Sequence, residues 1–389
     1  MDLEKYVDKR FGRVRRVPGA HGYHHYVPST LPRSLDLSHD TVRTLSEADR
    51  ALGRLVGTGR LLPDANLLVG PTLTVEALAS TQIEGTQTSL SEVLEAALDD
   101  EESTDVDVRE VQNHVAAADL GTRLLKELPL SLRLLRQVHE RLLTGARGSE
   151  KHPGELRTSQ NWIGPPGATL GDATFVPPRP DPEMLDALRD WERFLHDSVG
   201  TVPPLVAAAL LHYQFETIHP FLDGNGRLGR LVVVLYLMHA GELPQPILAL
   251  SPWFERDREA YYARLQGVRE RGELEEWLQY FLTGVSRQAT LTAARAERLT
   301  DLRDRYRRDL AGDRSNAIHV VELLLSNPFI TTARVTRHLG VTSAGAINVI
   351  RRLEERGWLR ELRTAGQGGR ITWVGAEVLE ILRGTDADR

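Results

Sequence analysis

Twelve residues decide the fold: His219-Pro220-Phe221-Leu222-Asp223-Gly224-Asn225-Gly226-Arg227-Leu228-Gly229-Arg230. They lie between two apolar segments of helical character. The glycines at 224 and 226 have no Cβ, so the backbone there can take the positive-φ turns in which neighbouring N–H groups converge on an anion. The stretch continues into a helix, whose first N–H groups have no intrahelical partner and whose N-terminal end is electropositive. These features predict a phosphate-binding loop.

Charged side chains within the same stretch indicate what such a loop would do. Arg227 and Arg230 are three residues apart, so they share one face of the helix start and can bind phosphate oxygens. Asp223 offers a hard oxygen ligand for a Mg²⁺ ion that bridges those phosphates. His219, with an ordinary pKa of about 6.5, can accept a proton from a hydroxyl at neutral pH. Each residue alone is more often structural, but their combination favours nucleotide chemistry.

The twelve residues resemble the signature loop of Fic-domain proteins, HPFxxGNGRxxR, without a departure at any fixed position. The resemblance implies a protein adenylyltransferase that moves AMP from ATP, with Mg²⁺, to a Ser, Thr or Tyr hydroxyl of a target protein or of itself. It implies His219 as the general base and Asp223 as the Mg²⁺ ligand. The implied ATP-binding residues of the loop are Gly224, Asn225, Gly226, Arg227, Leu228, Gly229 and Arg230, with Asn225 at the α-phosphate and Arg230 at the γ-phosphate.

Two further segments resemble parts of that family. The residues from Gly154 to Pro178 are similar to its flap hairpin, which aligns the target segment as an added strand. The β-prone runs 161–163 and 174–176 are expected to pair there. Tyr261 and Tyr262 resemble a tyrosine pair that lines the nucleotide pocket, although burial of both rings in the core is an equally good interpretation. The likeness extends over most of residues 70–285.

The segment Ser80-Thr81-Gln82-Ile83-Glu84-Gly85 resembles the inhibitory motif of the family, [S/T]xxxE[G/N]. A carboxylate at the end of one helix can pair with Arg230 and occupy the guanidinium that should bind the γ-phosphate. The sequence therefore predicts an inhibitory helix over about 74–85, capped by Thr74 and ended by Gly85. In some relatives the equivalent glutamate helps to remove AMP, so a bifunctional de-AMPylase stays open.

The C-terminal sequence has a different character. Helices are expected at 317–325, 332–339 and 343–356, followed by two strands at 358–362 and 370–374, which together make a winged helix-turn-helix. Arg351 and Arg352 on the recognition helix could reach DNA phosphates, but interleaved Glu354 and Glu355 weaken that footprint. Winged helices also dock proteins. DNA binding stays open, and so does a transcriptional regulator whose Fic core only senses nucleotide.

The whole chain is expected to be mainly α-helical, with a helical Fic fold, a β-hairpin flap and the C-terminal winged helix. The expected divisions are an N-terminal helical region over 1–110, a Fic catalytic domain over 111–285, a linker helix over 286–312 and the winged helix over 313–389. The linker helix, highly charged over 287–309, is expected to be a solvated connector. Residues before about 60 are expected to form an irregular arm and a short helix from Ser38.

Composition favours a cytoplasmic protein. The chain has 389 residues with 41% hydrophobic residues, a net charge of −6 and no cysteine. The charged N-terminal residues are not typical of a secretory signal, and no apolar run approaches the roughly 18 residues of a membrane span, so no membrane partner is expected. A metal site at His21, His24 and His25 is disfavoured because no acidic or Cys partner is nearby. The target protein and the oligomeric state, a homodimer included, stay open.

Overall fold

Two apolar helices, one before and one after the loop at 219–230, lie at the centre of the molecule in this computed structural model. The structure describes residues 1–19, 22–61, 66–98, 103–165, 167–313, 315–363 and 371–384. Helices dominate these residues and the sheets are small and antiparallel, which confirms the mainly α class. None of the described helices is both long and apolar enough to cross a membrane.

The helices and strands are named in chain order. The helices are α1 (His39–Leu61), α2 (Asn66–Ile83), α3 (Leu90–Ala96), α4 (Val106–Leu124), α5 (Leu132–Leu143), α6 (Leu185–Asp197), α7 (Pro204–Ile218), α8 (Asn225–His239), α9 (Ser251–Arg256), α10 (Arg258–Arg271), α11 (Leu274–Asp309), α12 (Ala317–Ser326), α13 (Thr332–Leu339), α14 (Ser343–Glu355) and α15 (Ala376–Arg383). The strands are β1 (Gly12–Arg16), β2 (His24–Pro28), β3 (Phe329–Thr331), β4 (Arg360–Arg363) and β5 (Ile371–Val374).

Helices α7 and α8 are buried because they are apolar on nearly every face. Almost all residues of α7 are inaccessible, and the predicted burial of the apolar run 231–238 is confirmed except at the half-buried Met238. Helices α4 and α5 pack against α8, and α11 contacts α7. A buried central pair fixes the position of the loop that joins it, because neither helix can move without opening the core.

The N-terminal prediction is wrong in two respects. Strands β1 and β2 pair antiparallel, with Gly12 opposite Pro28, where the sequence suggested an irregular arm. The helix after Ser38 is α1, which is 23 residues long and not short. Of the histidine cluster, His21 lies outside the described residues, and His25 Nε2 lies 2.7 Å from Glu183 Oε2. No group of three potential metal ligands occurs among the residues that the structure describes.

Two helices differ from the sequence-based prediction. Helix α2 begins at Asn66, so Thr74 does not cap it; the Thr74 hydroxyl donates instead to the Gly70 carbonyl, one turn earlier, at 3.0 Å. Helix α5 was not anticipated, although its start carries a recognisable signal. The Ser131 side chain accepts a hydrogen bond from the Leu134 N–H, and apolar residues recur along one face of the helix.

The flap forms less β structure than predicted. The expected pairing of 161–163 with 174–176 is reduced to a single antiparallel bridge between Ile163 and Phe175. Two backbone hydrogen bonds of 2.8 and 3.0 Å join these residues. The rest of the segment is held by side chains and not by a ladder, because Arg157, Gln160 and Asn161 all donate to backbone carbonyls.

The expectation of a solvated connector over 287–309 is wrong. These residues belong to α11, a continuous helix of 36 residues that packs along α1. Ala289, Ala293 and Ala296 are buried in the central core, and Leu302 and Tyr306 are buried further along. The spacing of these small and apolar residues makes a buried stripe that the many charges of the sequence concealed.

The C-terminal elements follow the predicted order with two additions. Helices α12, α13 and α14 lie close to the expected positions, and β4 and β5 pair antiparallel. The unexpected β3 completes a sheet of order β3-β5-β4, and α15 follows it. The strand predicted over 370–374 is β5, but its first predicted residue, Arg370, lies outside the described residues. Leu94 and Leu98, near the end of α3, are buried in this C-terminal core. The boundaries at 110, 285 and 312 stay predictions.

Candidate active site

The loop begins where α7 ends in a left-handed turn. His219 has φ 49° and ψ 61°, and its N–H donates to the Phe215 carbonyl at 2.9 Å. Its carbonyl accepts from Arg157 Nε at 2.9 Å and from Asn161 Nδ2 at 3.2 Å. A left-handed backbone is costly for a residue with a Cβ, so these flap contacts hold a turn that the chain would otherwise avoid.

Asn225 closes the loop through its side-chain amide. Its Oδ1 accepts from the Phe221 N–H and its Nδ2 donates to the Phe221 carbonyl, both at 2.9 Å. The amide that the sequence placed at the α-phosphate is thus occupied within the loop. Gly224, in the left-handed region with φ 73°, precedes α8 and gives it no side-chain cap. The first N–H groups of α8 therefore remain for an anion.

His139 on α5 supports the loop from below and was missed in the sequence analysis. Its Nε2 lies 2.9 Å from the Asp223 carbonyl, and its Nδ1 accepts from the Gly154 N–H at 2.8 Å. Its ring stacks on Phe221 at 3.8 Å between centroids. Burial lowers the pKa of His139 to about 4, so the ring is neutral and Nε2 carries the proton. Nothing in the local sequence distinguishes this histidine from an ordinary core residue.

The Asp223 side chain is partly exposed, and one of its carboxylate oxygens is already hydrogen-bonded within the loop. Oδ1 accepts from the Gly224 N–H at 2.5 Å and lies 3.3 Å from Arg227 Nη2. The carboxylate is 39% exposed. One carboxylate does not make a resident metal site, but Mg²⁺ takes its other positions from phosphate oxygens and water. The residues present fit a Mg²⁺ ion that arrives with a nucleotide.

Arg227 is buried beside two carboxylates. Besides Asp223, its Nη1 lies 3.9 Å from Glu110 Oε1 on α4. Glu110 also accepts from the Thr86 hydroxyl at 2.6 Å and pairs with Arg147 at 3.0 Å. Among the described residues, Arg227 Nε and Nη1 are buried without a hydrogen-bond acceptor. Unsatisfied buried donors of this kind are suited to phosphate oxygens.

Arg230 is held by the C-terminal turn of α2 and by the residue that follows it. Its Nη2 lies 2.7 Å from Glu84 Oε1 and donates to the Ser80 carbonyl at 2.7 Å, and its Nε donates to the Ser80 hydroxyl at 2.9 Å. A Cβ at Gly226 would overlap with Glu84 Oε1, so this carboxylate lies directly on the first turn of α8. Burial alone would raise the pKa of Glu84, but Arg230 more than offsets this and the net pKa is lowered. The ionised carboxylate occupies the place predicted for phosphate.

The imidazole of His219 is in the proton-accepting form. Burial, reinforced by Arg157 and Arg269, lowers the pKa of His219 to about 3. Its Nδ1 makes no hydrogen bond among the described residues, and the nearest carboxylate oxygen, Glu216 Oε2, is 4.0 Å away. A neutral ring at pH 7 can serve as a base, as the sequence predicts.

Tyr261 and Tyr262 lie in different environments. Tyr261 is fully buried, its hydroxyl lies 2.8 Å from His212 Nε2, and its ring stacks on Phe254 at 4.5 Å. Its ring packs in the core, and its role in binding ATP stays a prediction. Tyr262 is 43% exposed. Burial raises the pKa of Tyr262, and the charge of Glu84 acts in the same direction. Leu228 and Gly229 are buried within α8.

Comparison with protein families matches two models. Residues 42–123 match the model described as Fic/DOC family N-terminal, and residues 129–237 match the Fic/DOC family model itself. The chain carries a Fic domain. The loop with His219, Asp223 and both arginines falls inside the second match, and Glu84 falls inside the first. The resemblance drawn from the twelve-residue signature is thereby confirmed.

Curated relatives and solved structures agree with this assignment. Protein adenylyltransferase fic-1 of Caenorhabditis elegans is 34% identical over 145 residues, which are 37% of this chain and 25% of that protein. Protein adenylyltransferase Fic of Drosophila melanogaster is 28% identical over 174 residues, 43% of this chain and 32% of the relative. The chain thus spans between a quarter and a third of the length of these relatives.

The fold is also that of a solved Fic protein. The crystal structure of a Fic family protein from Desulfovibrio desulfuricans G20 covers 88% of this chain and 98% of its own, with a TM-score of 0.54 and 19% sequence identity. A Fic-domain-containing signalling protein from Bacteroides thetaiotaomicron covers 64% of this chain and 97% of its own, with a TM-score of 0.53 and 20% identity.

Proposed function

We propose that this Fic protein is a protein adenylyltransferase that uses ATP and is inhibited by its own Glu84. The observation that carries the proposal is the arrangement at the start of α8. A neutral His219, the partly exposed Asp223 and the two buried guanidiniums of Arg227 and Arg230 surround N–H groups that have no intrahelical acceptor. The names of the curated relatives support the same activity.

The reaction assigns one task to each group. The target hydroxyl oxygen attacks the α-phosphorus, the bond to the β-phosphate oxygen breaks, and pyrophosphate leaves. His219 takes the hydroxyl proton, while Arg227, Arg230 and the α8 N–H groups bind phosphate oxygens. Mg²⁺, when bound through Asp223, supplies charge neutralisation on the phosphates. The flap beside His219 would align the target segment through backbone hydrogen bonds.

Inhibition follows from competition for one cation. The Glu84 carboxylate and the γ-phosphate are both anions that would pair with Arg230, and the guanidinium cannot hold both in the same place. A charge-assisted pair to arginine is worth on the order of 1.5–3 kcal/mol, so its release corresponds to roughly a ten- to hundred-fold change in productive occupancy. The protein is therefore expected to have low activity until Glu84 leaves the first turn of α8.

The test is transfer of label from α-labelled ATP to the protein itself and to proteins of a cell lysate. His219→Ala should lose transfer by about 10²–10⁴-fold while ATP binding persists, because the imidazole moves a proton and holds no phosphate. Glu84→Gly should increase transfer, and Glu84→Gln, which keeps the length without the charge, should act in the same direction. Undiminished labelling by the His219 variant would remove it from the mechanism.

The same assay separates the alternatives. A Glu84 variant that loses both labelling and the removal of AMP from a labelled target would assign that carboxylate to de-AMPylation. Tight binding to a DNA site without any AMP transfer by the Glu84→Gly protein would favour a nucleotide-sensing regulator. The C-terminal helices α12–α14 and the sheet of β3, β4 and β5 support the interpretation of that region as a winged helix.

A further inference from the structure

A buried carboxylate lies beside the proposed base and has no task in the reaction above. Glu216, one turn before His219 on α7, is only 6% exposed. Its Oε1 has no hydrogen-bond partner among the described residues, and its Oε2 lies 4.0 Å from His219 Nδ1. The Nδ1 atom is also buried and, within the same described ranges, makes no well-aligned hydrogen bond, while the Glu216 backbone carbonyl is close enough to the ring to act on its pKa. Two complementary buried groups that face each other without other partners are costly unless the site uses them.

Gly229 makes room for this carboxylate. A Cβ at position 229 would overlap with Glu216 Oε1 and would also press on the Phe215 ring. Position 229 is one of the unspecified positions of the signature HPFxxGNGRxxR, so the phosphate-binding loop itself does not require a glycine there. The glycine lets α8 pass closely over α7 while Glu216 stays turned towards the loop. The glycine at 229 thus leaves room for the Glu216 carboxylate, where a larger residue at 229 would displace it.

We infer that Glu216 is a positioning residue for His219, and this rests on the proposed adenylyltransferase function. An approach of about 1 Å would turn the 4.0 Å separation into a hydrogen bond from His219 Nδ1–H to Glu216 Oε2. The imidazole then presents the lone pair of Nε2 to the target hydroxyl. When the O–H bond of the target breaks and an Nε2–H bond forms, the imidazolium lies against a carboxylate, which stabilises it.

The surrounding charges are compatible with that role. Burial raises the pKa of Glu216 to about 7; Arg230 and Arg269 act to lower it, and Glu84 acts to raise it. The Tyr261 and Tyr262 hydroxyls also interact electrostatically with this carboxylate, and His219 lies three residues further along the chain. A positive charge on His219 would favour the ionised carboxylate, because opposite charges in a buried site stabilise each other. Glu216 is therefore ionised at the moment the base holds the proton.

The kinetic test uses the Glu84→Gly protein as the parent. Glu216→Gln keeps an acceptor for Nδ1–H but removes the charge, and should lower kcat for AMP transfer roughly 10-fold; Glu216→Met, of similar size, should lower it about 100-fold. The KM for ATP should stay within about twofold in both, since Glu216 contacts no phosphate. The acid limb of the pH–rate profile should move to lower pH in Glu216→Gln. Glu270→Gln, which changes another buried glutamate away from the loop, should match the parent.

A second measurement does not depend on activity. Nitrogen NMR of labelled histidine, with the His219 signals identified by their disappearance in His219→Ala, should show the Nδ1–H tautomer in the parent and a shift towards Nε2–H in Glu216→Met. A parent that holds the Nε2–H tautomer, or a Glu216→Met protein with unchanged kcat and pH profile, overturns the inference. A parent that transfers no AMP overturns the proposed function, and the tautomer then still decides whether Glu216 orients His219.

Discussion

Arg230 is the residue through which both the proposed ATP binding and the proposed inhibition act. Its guanidinium is buried and donates to the end of α2, to the Ser80 hydroxyl and carbonyl and to the Glu84 carboxylate. Of these bonds, the one to Glu84 joins opposite charges. Burial alone would lower the pKa of Arg230, but the neighbouring Glu84 carboxylate more than offsets this and the net pKa is raised. The side chain is therefore charged at any physiological pH. The bonds to Ser80 hold the guanidinium in place when the Glu84 carboxylate moves away. The donor that Glu84 releases then lies beside the first turn of α8.

Replacement of Arg230 should therefore affect ATP more than ADP. In the Glu84→Gly background, Arg230→Ala is expected to weaken ATP binding by about ten-fold or more, because the γ-phosphate no longer has a charged donor. ADP has no γ-phosphate and should be affected much less. Isothermal calorimetry of both nucleotides measures the ratio, and any general damage to the core reduces both affinities together. An equal reduction for ATP and ADP would place Arg230 away from the γ-phosphate.

Glu216 should also leave a trace in the pH dependence of stability. Its pKa is raised by burial from an ordinary 4.5 to about 7 in the folded protein. The folded state therefore holds this proton more tightly than the unfolded state, and the associated stability is complete below pH 4.5 and lost as the pH rises through 7. Glu216→Gln removes that loss, which is on the order of 3 kcal/mol.

Thermal melts at pH 5 and pH 8 measure the effect. Relative to the otherwise identical protein, Glu216→Gln should gain several degrees in Tm at pH 8 and little at pH 5. A gain of the same size at both pH values would mean that the carboxylate does not titrate in this range in the folded state.

At the scale of elements, the Glu84–Arg230 contact is made by the end of α2 and by the turn after it. The Glu84 N–H donates to the Thr81 carbonyl, and Gly85 turns the chain with φ 101°. The Thr86 hydroxyl then bonds to Glu110 on α4. Glu110 also approaches Arg227, so the α2 turn is tied to both guanidiniums of the loop, to one directly and to the other through α4.

ATP with Mg²⁺ should loosen this turn. When the γ-phosphate pairs with Arg230, residues 84–86 lose the ion pair between Glu84 and Arg230. Their amide hydrogens should then exchange with solvent several-fold faster. Hydrogen–deuterium exchange with mass spectrometry can follow this segment, with α12 as an internal reference that should not change. In Glu84→Gly the segment should exchange fast without nucleotide and respond little to it. Slower exchange in wild type on addition of ATP would contradict the competition.

The elements that the sequence predicts correctly are those whose signals are local. The segment α7–loop–α8 is confirmed because apolar helices, glycines and a helix start lie together in one stretch of chain. The position of His139 depends on a contact with a residue distant in sequence, Asp223, which is 84 positions away. No local pattern records such contacts. The burial of α11 was missed for the same reason, since its stripe of alanines has meaning only against α1.

At the scale of the whole molecule, helix α3, which follows Glu84, and the C-terminal elements share a core. Leu94 and Leu98, which follow Glu84 by ten and fourteen positions, pack among the C-terminal apolar residues, and Asn327 Nδ2 donates to the Leu94 carbonyl at 2.8 Å. Helix α11 runs through both cores. A partner bound by the C-terminal elements would therefore act on residues directly connected to the α2 turn.

If that partner is DNA, α14 is the element that should meet it. Arg351 and Arg352 are exposed there, and Arg352 Nη1 lies 3.4 Å from Asp313 Oδ1, an interaction that a phosphate can replace. Changing both arginines to alanine should weaken DNA binding and reduce the slope of log K against log salt by about two, one unit for each phosphate that is no longer neutralised. Fluorescence anisotropy with labelled duplex at several salt concentrations measures both quantities. Transfer of AMP to the protein itself should not change, because α14 lies outside the ATP site.

The control is Arg43 and Arg50 changed to alanine on the exposed face of α1, which removes the same charge from a different helix. This variant should keep the wild-type slope. If both double variants flatten the salt dependence equally, the binding reports overall charge and not α14. If the wild-type protein shows no salt-dependent affinity for duplex DNA, the C-terminal elements dock a protein instead. The acidic Glu354 and Glu355, which follow the two arginines on α14, would then be expected to pair with basic side chains of that protein.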